Sequence, residues 1–216
     1  MPPARSLQRD AIIETAIAIL ERDGVEGLSM RRLASELNSK PMTLYHYVPN
    51  KSSLLSLALS EVAARIPWTT PTGHPRDRMV TIAMDMYDKL GDIPWIVSIL
   101  RRGTDVGTPA LVLANEFFTA AAELGLDEQA TLDLWRAVWY LVVSELQWLD
   151  TLAQRAPDEV SWHQKMDPAE VAHLPRVAAI MPVWPRLSAG FDIRRAIEAQ
   201  IDGVVARDSQ APPSSR

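Results

Sequence analysis

The 216-residue chain contains no cysteine. That excludes a disulfide framework and thiol chemistry, and it is consistent with a reducing cytoplasm, the expected location. The first ten residues, MPPARSLQRD, lack the apolar core of a secretion signal. No apolar run approaches the roughly 18 residues of a membrane span, so no membrane partner is expected. There is no internal repeat of solenoid period. HExxH, a P-loop, GxSxG and a Gly-rich phosphate turn are all absent. Glu116 and Glu145 could pair, but no spacing singles them out, so the chain reads as a non-enzyme without a cofactor. His74, His163 and His173 have no second ligand at metal-binding spacing, and no metal is predicted. No segment alternates with period two, which leaves an all-α fold.

Charge is scarce in one sense only. The net charge is −5, too acidic for a histone-like, wholly electrostatic binder of nucleic acid. Residues 1–51 nevertheless carry seven Lys/Arg against six Asp/Glu, about +1, and from Gly27 to Lys51 four basic residues face one acid, about +3. A positive field this local suits a discrete site with a few phosphate contacts.

That stretch, LSMRRLASELNSKPMTLYHYVPNK, organises the chain. Ser29 is a helix N-cap, and Leu33, Ala34 and Leu37 give a short helix from about Met30 to Leu37 one apolar face. Asn38-Ser39 breaks it. A second short helix starts at Lys40-Pro41, with proline in the first turn, where its missing N–H costs nothing. Leu44 and Val48 face inward, and Pro49-Asn50 ends it. Lys40, Pro41, Met42, Thr43, Tyr45, His46 and Tyr47 are left outside. Two short helices joined by a tight turn read as helix-turn-helix. A lysine for guanine O6/N7 and Thr or Met for a thymine methyl suit a major groove. Ser29, Arg31, Arg32 and Lys51 flank this set and suit phosphates. The alternative is a surface helical hairpin with an ordinary solvated face.

The string LASELNSKPMTLYHYVPNKSSLL resembles the DNA-binding signature of the TetR family of bacterial regulators. The likeness lies in the two-helix spacing, in Thr43-Leu44-Tyr45, in the following Lys51, and in Gly24 and Gly27 before the motif. Two features depart from the family pattern: the order His46-Tyr47-Val48, and Asn38 where glycine is frequent. Asn tolerates a left-handed backbone, so the turn survives. The resemblance implies a three-helix head on a larger helical body that dimerises and binds a small molecule.

Elsewhere, periodicity predicts helix one over 6–23, stopped by Gly24, with Ile12, Ile13, Ala16, Ile17 and Leu20 buried. Met1–Arg5 reads as a disordered tail, or as an arm in which Arg5 contacts DNA. Helix four spans about 50–65, and the loop Trp68–Pro75 marks the domain boundary. Further helices are expected at about 75–90, 94–101, 110–124, 127–155 and 192–207. Residues 157–185, rich in proline, should be irregular except for one short helix near 169–173. The predicted division is a DNA-binding domain at 1–49, a connecting helix at 50–66, a ligand-binding and dimerisation domain at 67–207 and a disordered tail at 208–216.

Helix 127–155 is hydrophobic on more than one face, which predicts burial on several sides. With the stripe of the last helix it suggests a twofold four-helix interface: Val142, Leu146, Leu149, Ile193, Ile197 and Ile201. The alternative is that the two helices bury each other within one chain. The surplus of aromatic and thioether groups, together with the family resemblance, predicts a cavity for a hydrophobic or aromatic ligand, lined by Met84, Tyr87, Trp95, Arg101, Asn115, Phe118, Trp135 and Trp139. The pattern beyond Pro67 also resembles the tetracycline-repressor subgroup. The expected function is a homodimeric repressor released from a palindromic double-stranded operator by a small-molecule effector. An activator or co-ligand-dependent repressor is the alternative; an all-helical enzyme or an interaction dimer without DNA binding is more remote.

Overall fold

The computed structural model describes residues 9–100, 108–156 and 158–208. Every regular element among them is helical. Arg5 and the tail from 209 onward lie outside this set.

Helix α1 (Arg9–Gly27) buries the expected stripe, Ile12, Ile13, Ala16, Ile17 and Leu20, and adds Ile19. Gly24 breaks it, as the sequence predicts. At φ 65°, ψ −173° the backbone leaves the helix there, in a region open essentially to glycine, and one further turn follows. In α2 (Met30–Glu36) the Ser29 hydroxyl accepts from the Arg32 amide at 3.2 Å, capping the first turn. Asn38 has φ 50°, the left-handed conformation that the turn needs. Helix α3 (Pro41–Tyr45) is shorter than the spacing suggested: His46 and Tyr47 lie in the turn that follows it. Leu44 and Val48 are fully buried and anchor this turn of chain. Burying each is worth roughly 1.5–3 kcal/mol. Helix α4 (Lys51–Arg65) starts on Asn50, whose Oδ1 accepts from the Ser53 amide at 2.8 Å.

The residues after α4 are tied down. Asp85 accepts from the Thr69 amide at 3.0 Å and from the Thr69 hydroxyl at 2.5 Å, and Lys89 pairs with Asp85 at 2.7 Å. Lys89 also donates to the Pro67 carbonyl and lies 5.7 Å from the centroid of the Trp68 ring. A loop of helix breakers is thereby latched onto α5 (Pro75–Gly91).

Helix α5 is the axis of the body and packs on α7 (Leu111–Glu123), α8 (Glu128–Ala153) and α12 (Ile193–Asp208). Arg76 forks onto Asp202 of α12 at 2.8 and 2.9 Å, and Arg78 reaches Glu123 of α7 at 2.8 Å. Asp127 caps α8 through the Ala130 amide at 2.7 Å. Head and body meet twice. Helix α6 (Pro94–Leu100) packs on α1, and a 3-10 turn at Thr108–Ala110 packs on α4.

Residues 158–191 are more helical than predicted. They form α9 (Trp162–Lys165), a 3-10 turn at Pro168–Val171, α10 (Pro175–Ile180), a second 3-10 turn at Met181–Val183 and α11 (Trp184–Ala189). Pro168, Pro175, Pro182 and Pro185 sit in first turns, where proline opens a helix instead of breaking one. The last helix runs through Asp208, one residue into the expected tail.

Of the six residues expected at a twofold interface, five are already covered inside one copy. Val142, Leu146, Ile193, Ile197 and Ile201 are buried within a single copy, where α8 and α12 cover each other and α5. A stripe at four-residue spacing marks a face that is buried but not what covers it. Leu149 alone of the six is exposed.

Candidate DNA-reading surface and body cavity

The outward side of α3 and the turn behind it carries the predicted set. Lys40, Pro41, Met42, Tyr45, His46 and Tyr47 are exposed, and Thr43 is half-buried. Met42 is 71% exposed, the most open large apolar side chain among the described residues. An apolar group so open beside a lysine and three rings is costly unless something covers it. Lys40 and Arg31 form no ion pair or side-chain hydrogen bond with any described residue, so both cations are free.

The other flanking residues are engaged inside the head. Arg32 pairs with Asp23 at 2.6 Å and with Glu36 at 3.4 Å, and donates to the Gly27 carbonyl at 3.2 Å. Arg22 closes the network at 2.7 Å to Asp23 and 2.6 Å to Glu36. Arg22, then Arg32, holds the Asp23 carboxyl below its usual range, and Asp23 with Glu36 raises Arg22. Lys51 is half-buried and donates to the Val25 carbonyl at 2.7 Å. Ser29 spends its hydroxyl on the cap. These residues hold α1, α2 and α4 in register, so their first role is to position α3. Sequence spacing cannot separate a free cation from a paired one, because Asp23 and Val25 approach only through the fold.

A cavity of about 230 Å³ lies in the body beside α4. Its wall takes Leu59 and Ala63 from α4, Ile66 and Trp68 from the latched loop, and Met86 and Leu90 from α5. Ile96 and Leu100 come from α6, Ala110, Leu111 and Leu113 from the segment around the start of α7, and Trp135, Arg136 and Trp139 from α8. Of the predicted lining set, Trp135 and Trp139 are on the wall. Phe118 stands behind it, edge-on to Trp135 with ring centroids 6.0 Å apart. The rest fall elsewhere. Tyr87 faces a separate groove with Gly91 and Leu146, and Met84 packs on the core. Asn115 is exposed on α7. Trp95 is buried, and its indole N–H has no partner among the described residues. Arg101 lies outside the described residues. The α4 and loop contributions, Leu59, Ala63, Ile66 and Trp68, escape sequence reasoning, which makes helix four a connector and Trp68–Pro75 a boundary loop and puts neither on the cavity wall.

Residues 12–58 match the family described as bacterial regulatory proteins, tetR family. The head of the chain is a TetR-family DNA-binding region. The match takes in α2, α3 and their turn, and the whole fold agrees with it. The Streptomyces coelicolor TetR family protein ActR, solved in complex with actinorhodin, superposes with a TM-score of 0.72 at 19% identity, covering 93% of this chain and 96% of that one. Among curated relatives, the HTH-type transcriptional repressor DrrR1 of Streptomyces coeruleorubidus is 31% identical over 128 residues, 58% of this chain and 47% of that protein. An HTH-type transcriptional regulator of Saccharopolyspora erythraea is 30% identical over 141 residues, 65% and 60% of the two chains. The alignments thus span about half the length of these relatives. Tetracycline repressors match over 59–71 residues only, which leaves the tetracycline-type body without support from them. No described helix of the chain is long and apolar enough to cross a membrane, and no described cluster of His, Asp or Glu could hold a metal.

Proposed function

We propose that the chain is a DNA-binding transcriptional regulator, acting as a repressor that an apolar small molecule releases from a palindromic operator. The outward face of α3 carries this reading. Met42, Tyr45 and Tyr47 stand exposed beside the free Lys40 on a segment whose Leu44 and Val48 are pinned in the core. Such a face gains most when inserted in a major groove, where Lys40 meets guanine acceptors, Met42 a thymine methyl, and Arg31 a phosphate.

A second copy completes the reader. The bare side of α8 presents Tyr140, Ser144, Trp148 and Leu152 at four-residue spacing, with Leu149 adjacent. Three of these are large and apolar, and a twofold partner covering them would place two heads on one side of a duplex. DrrR1 and ActR-type relatives favour the repressor and ligand parts of the proposal. Because α4 supplies both the cavity wall and the support of α3, an occupant that favours one position of α4 changes DNA affinity by its differential binding to the two states.

The test is retardation of duplex DNA from the chain's own upstream region, at low salt and without added ligand, followed by selection from a random duplex pool. Enrichment of an inverted repeat supports the proposal. No retardation, and no enriched sequence, overturns it.

A further inference from the structure

We propose that the body cavity takes an apolar molecule bearing one acidic group, a carboxylate or an acidic phenol, and that Arg136 holds that group. The inference rests on the reading of this cavity as the effector site. Among the described residues Arg136 is the single charged one on the wall, and none of them brings a carboxylate to it.

The state of Arg136 supports the assignment. The cations that tie α5 to its neighbours are neutralised: Arg76 by Asp202, Arg78 by Glu123, Lys89 by Asp85. Arg136 has no carboxylate at ion-pair distance among the described residues. Its Nη2 donates to the Tyr140 hydroxyl at 3.0 Å, and its guanidinium carbon lies 5.8 Å from the centroid of that ring. A neutral hydroxyl and a ring face hold a cation in place without cancelling its charge. Asp133, one turn earlier on α8, is exposed, is bound by Gln129 at 3.0 Å and takes no part in the wall. A guanidinium with no described carboxylate in contact, at the rim of an apolar chamber, is a receptor for an anion whose apolar remainder lies among Trp68, Trp135 and Trp139. The planar fork of the guanidinium suits a carboxylate. Because Arg136 is exposed, a neutral ligand leaves it in water. The site therefore prefers the acid without rejecting the neutral analogue.

Isothermal titration of the full chain with naphthalene carboxylate and with naphthalene carboxamide, which share one ring system, tests this. The wild type is expected to bind the carboxylate on the order of tenfold more tightly than the carboxamide, the value of a hydrogen bond to a charged group. Arg136→Gln should make the two equal while leaving the carboxamide affinity unchanged, and Arg136→Lys should keep a preference. Equal affinities in the wild type, or a preference that survives in Arg136→Gln, overturn the assignment of the acid while the cavity remains a binding site. Failure of both compounds to bind overturns the effector-site reading as well.

Discussion

The ammonium group of Lys51, first residue of α4, donates to the main-chain carbonyl of Val25, in the last turn of α1, at 2.7 Å. Twenty-six residues apart in sequence, the two clamp the ends of the helices that carry α3. This use of the lysine makes a distinguishing prediction. Lys51→Met should lower the stability of the folded chain by ~1–3 kcal/mol, since the Val25 carbonyl loses a charged donor. The slope of log affinity against log salt should stay the same. Arg31→Ala should do the reverse, reducing that slope by about 0.9 for each phosphate it no longer neutralises and leaving stability within about 0.5 kcal/mol. Urea unfolding and a salt titration of DNA binding separate the two.

Much of this framework is legible in the residues. Ser29, Asn50 and Asp127 announce helix starts because a side-chain oxygen there has only one good use, and Asn38 announces the turn because few residues tolerate φ 50°. What stays hidden depends on approach in space. Asp23, which pairs with Arg32, and Val25, which accepts from Lys51, lie nine and 26 residues away; only the four-residue spacing of Arg32 and Glu36 is visible in the local string. The prolines of 158–191 mislead because the same residue opens a helix or ends one, depending on its position. The α4 share of the cavity is hidden because one helix serves both head and body.

Acid should release the loop after α4. Burial pushes the Asp85 carboxyl up, but Lys89 and two hydrogen bonds from Thr69 outweigh it and leave it below its usual value. A carboxylate depressed in the folded state contributes stability that is complete above its unfolded pKa, about 3.9, and is lost as pH falls through the lower folded value. Asp85→Asn should therefore cost ~1–3 kcal/mol at neutral pH. The difference from wild type should shrink as pH drops below about 4. Thermal midpoints of both proteins across that range check it.

Glu145 should behave oppositely. Half-buried on α8 and without a charged partner among the described residues, it is pushed above the ordinary carboxylate range by burial. The folded chain then holds its proton more tightly than the unfolded chain. The stability it contributes is present below the unfolded pKa and falls away as pH rises through the folded one. Glu145→Gln should raise the thermal midpoint at neutral pH and leave it unchanged in acid, where the wild-type residue is already protonated. A midpoint lowered at neutral pH would show that the carboxylate has a favourable partner instead.

Core and interface roles on α8 and α12 also separate. Ile197 is fully buried in one copy, so Ile197→Ala should cost about 2–5 kcal/mol without changing the mass of the particle in solution. Trp148 is exposed on the bare side of α8, so Trp148→Glu should halve the mass seen by light scattering at low micromolar protein and leave the helical content of each copy intact.

The account depends on the outer side of α3 being the surface that meets DNA, and fluorescence anisotropy with the enriched duplex measures this directly. Lys40→Ala combined with Tyr45→Ala should weaken binding on the order of a hundredfold or more, since each base contact is worth about 1–3 kcal/mol and each dimer presents the pair twice. Circular dichroism and the thermal midpoint should match the wild type. Undiminished affinity in a folded double variant would contradict the account.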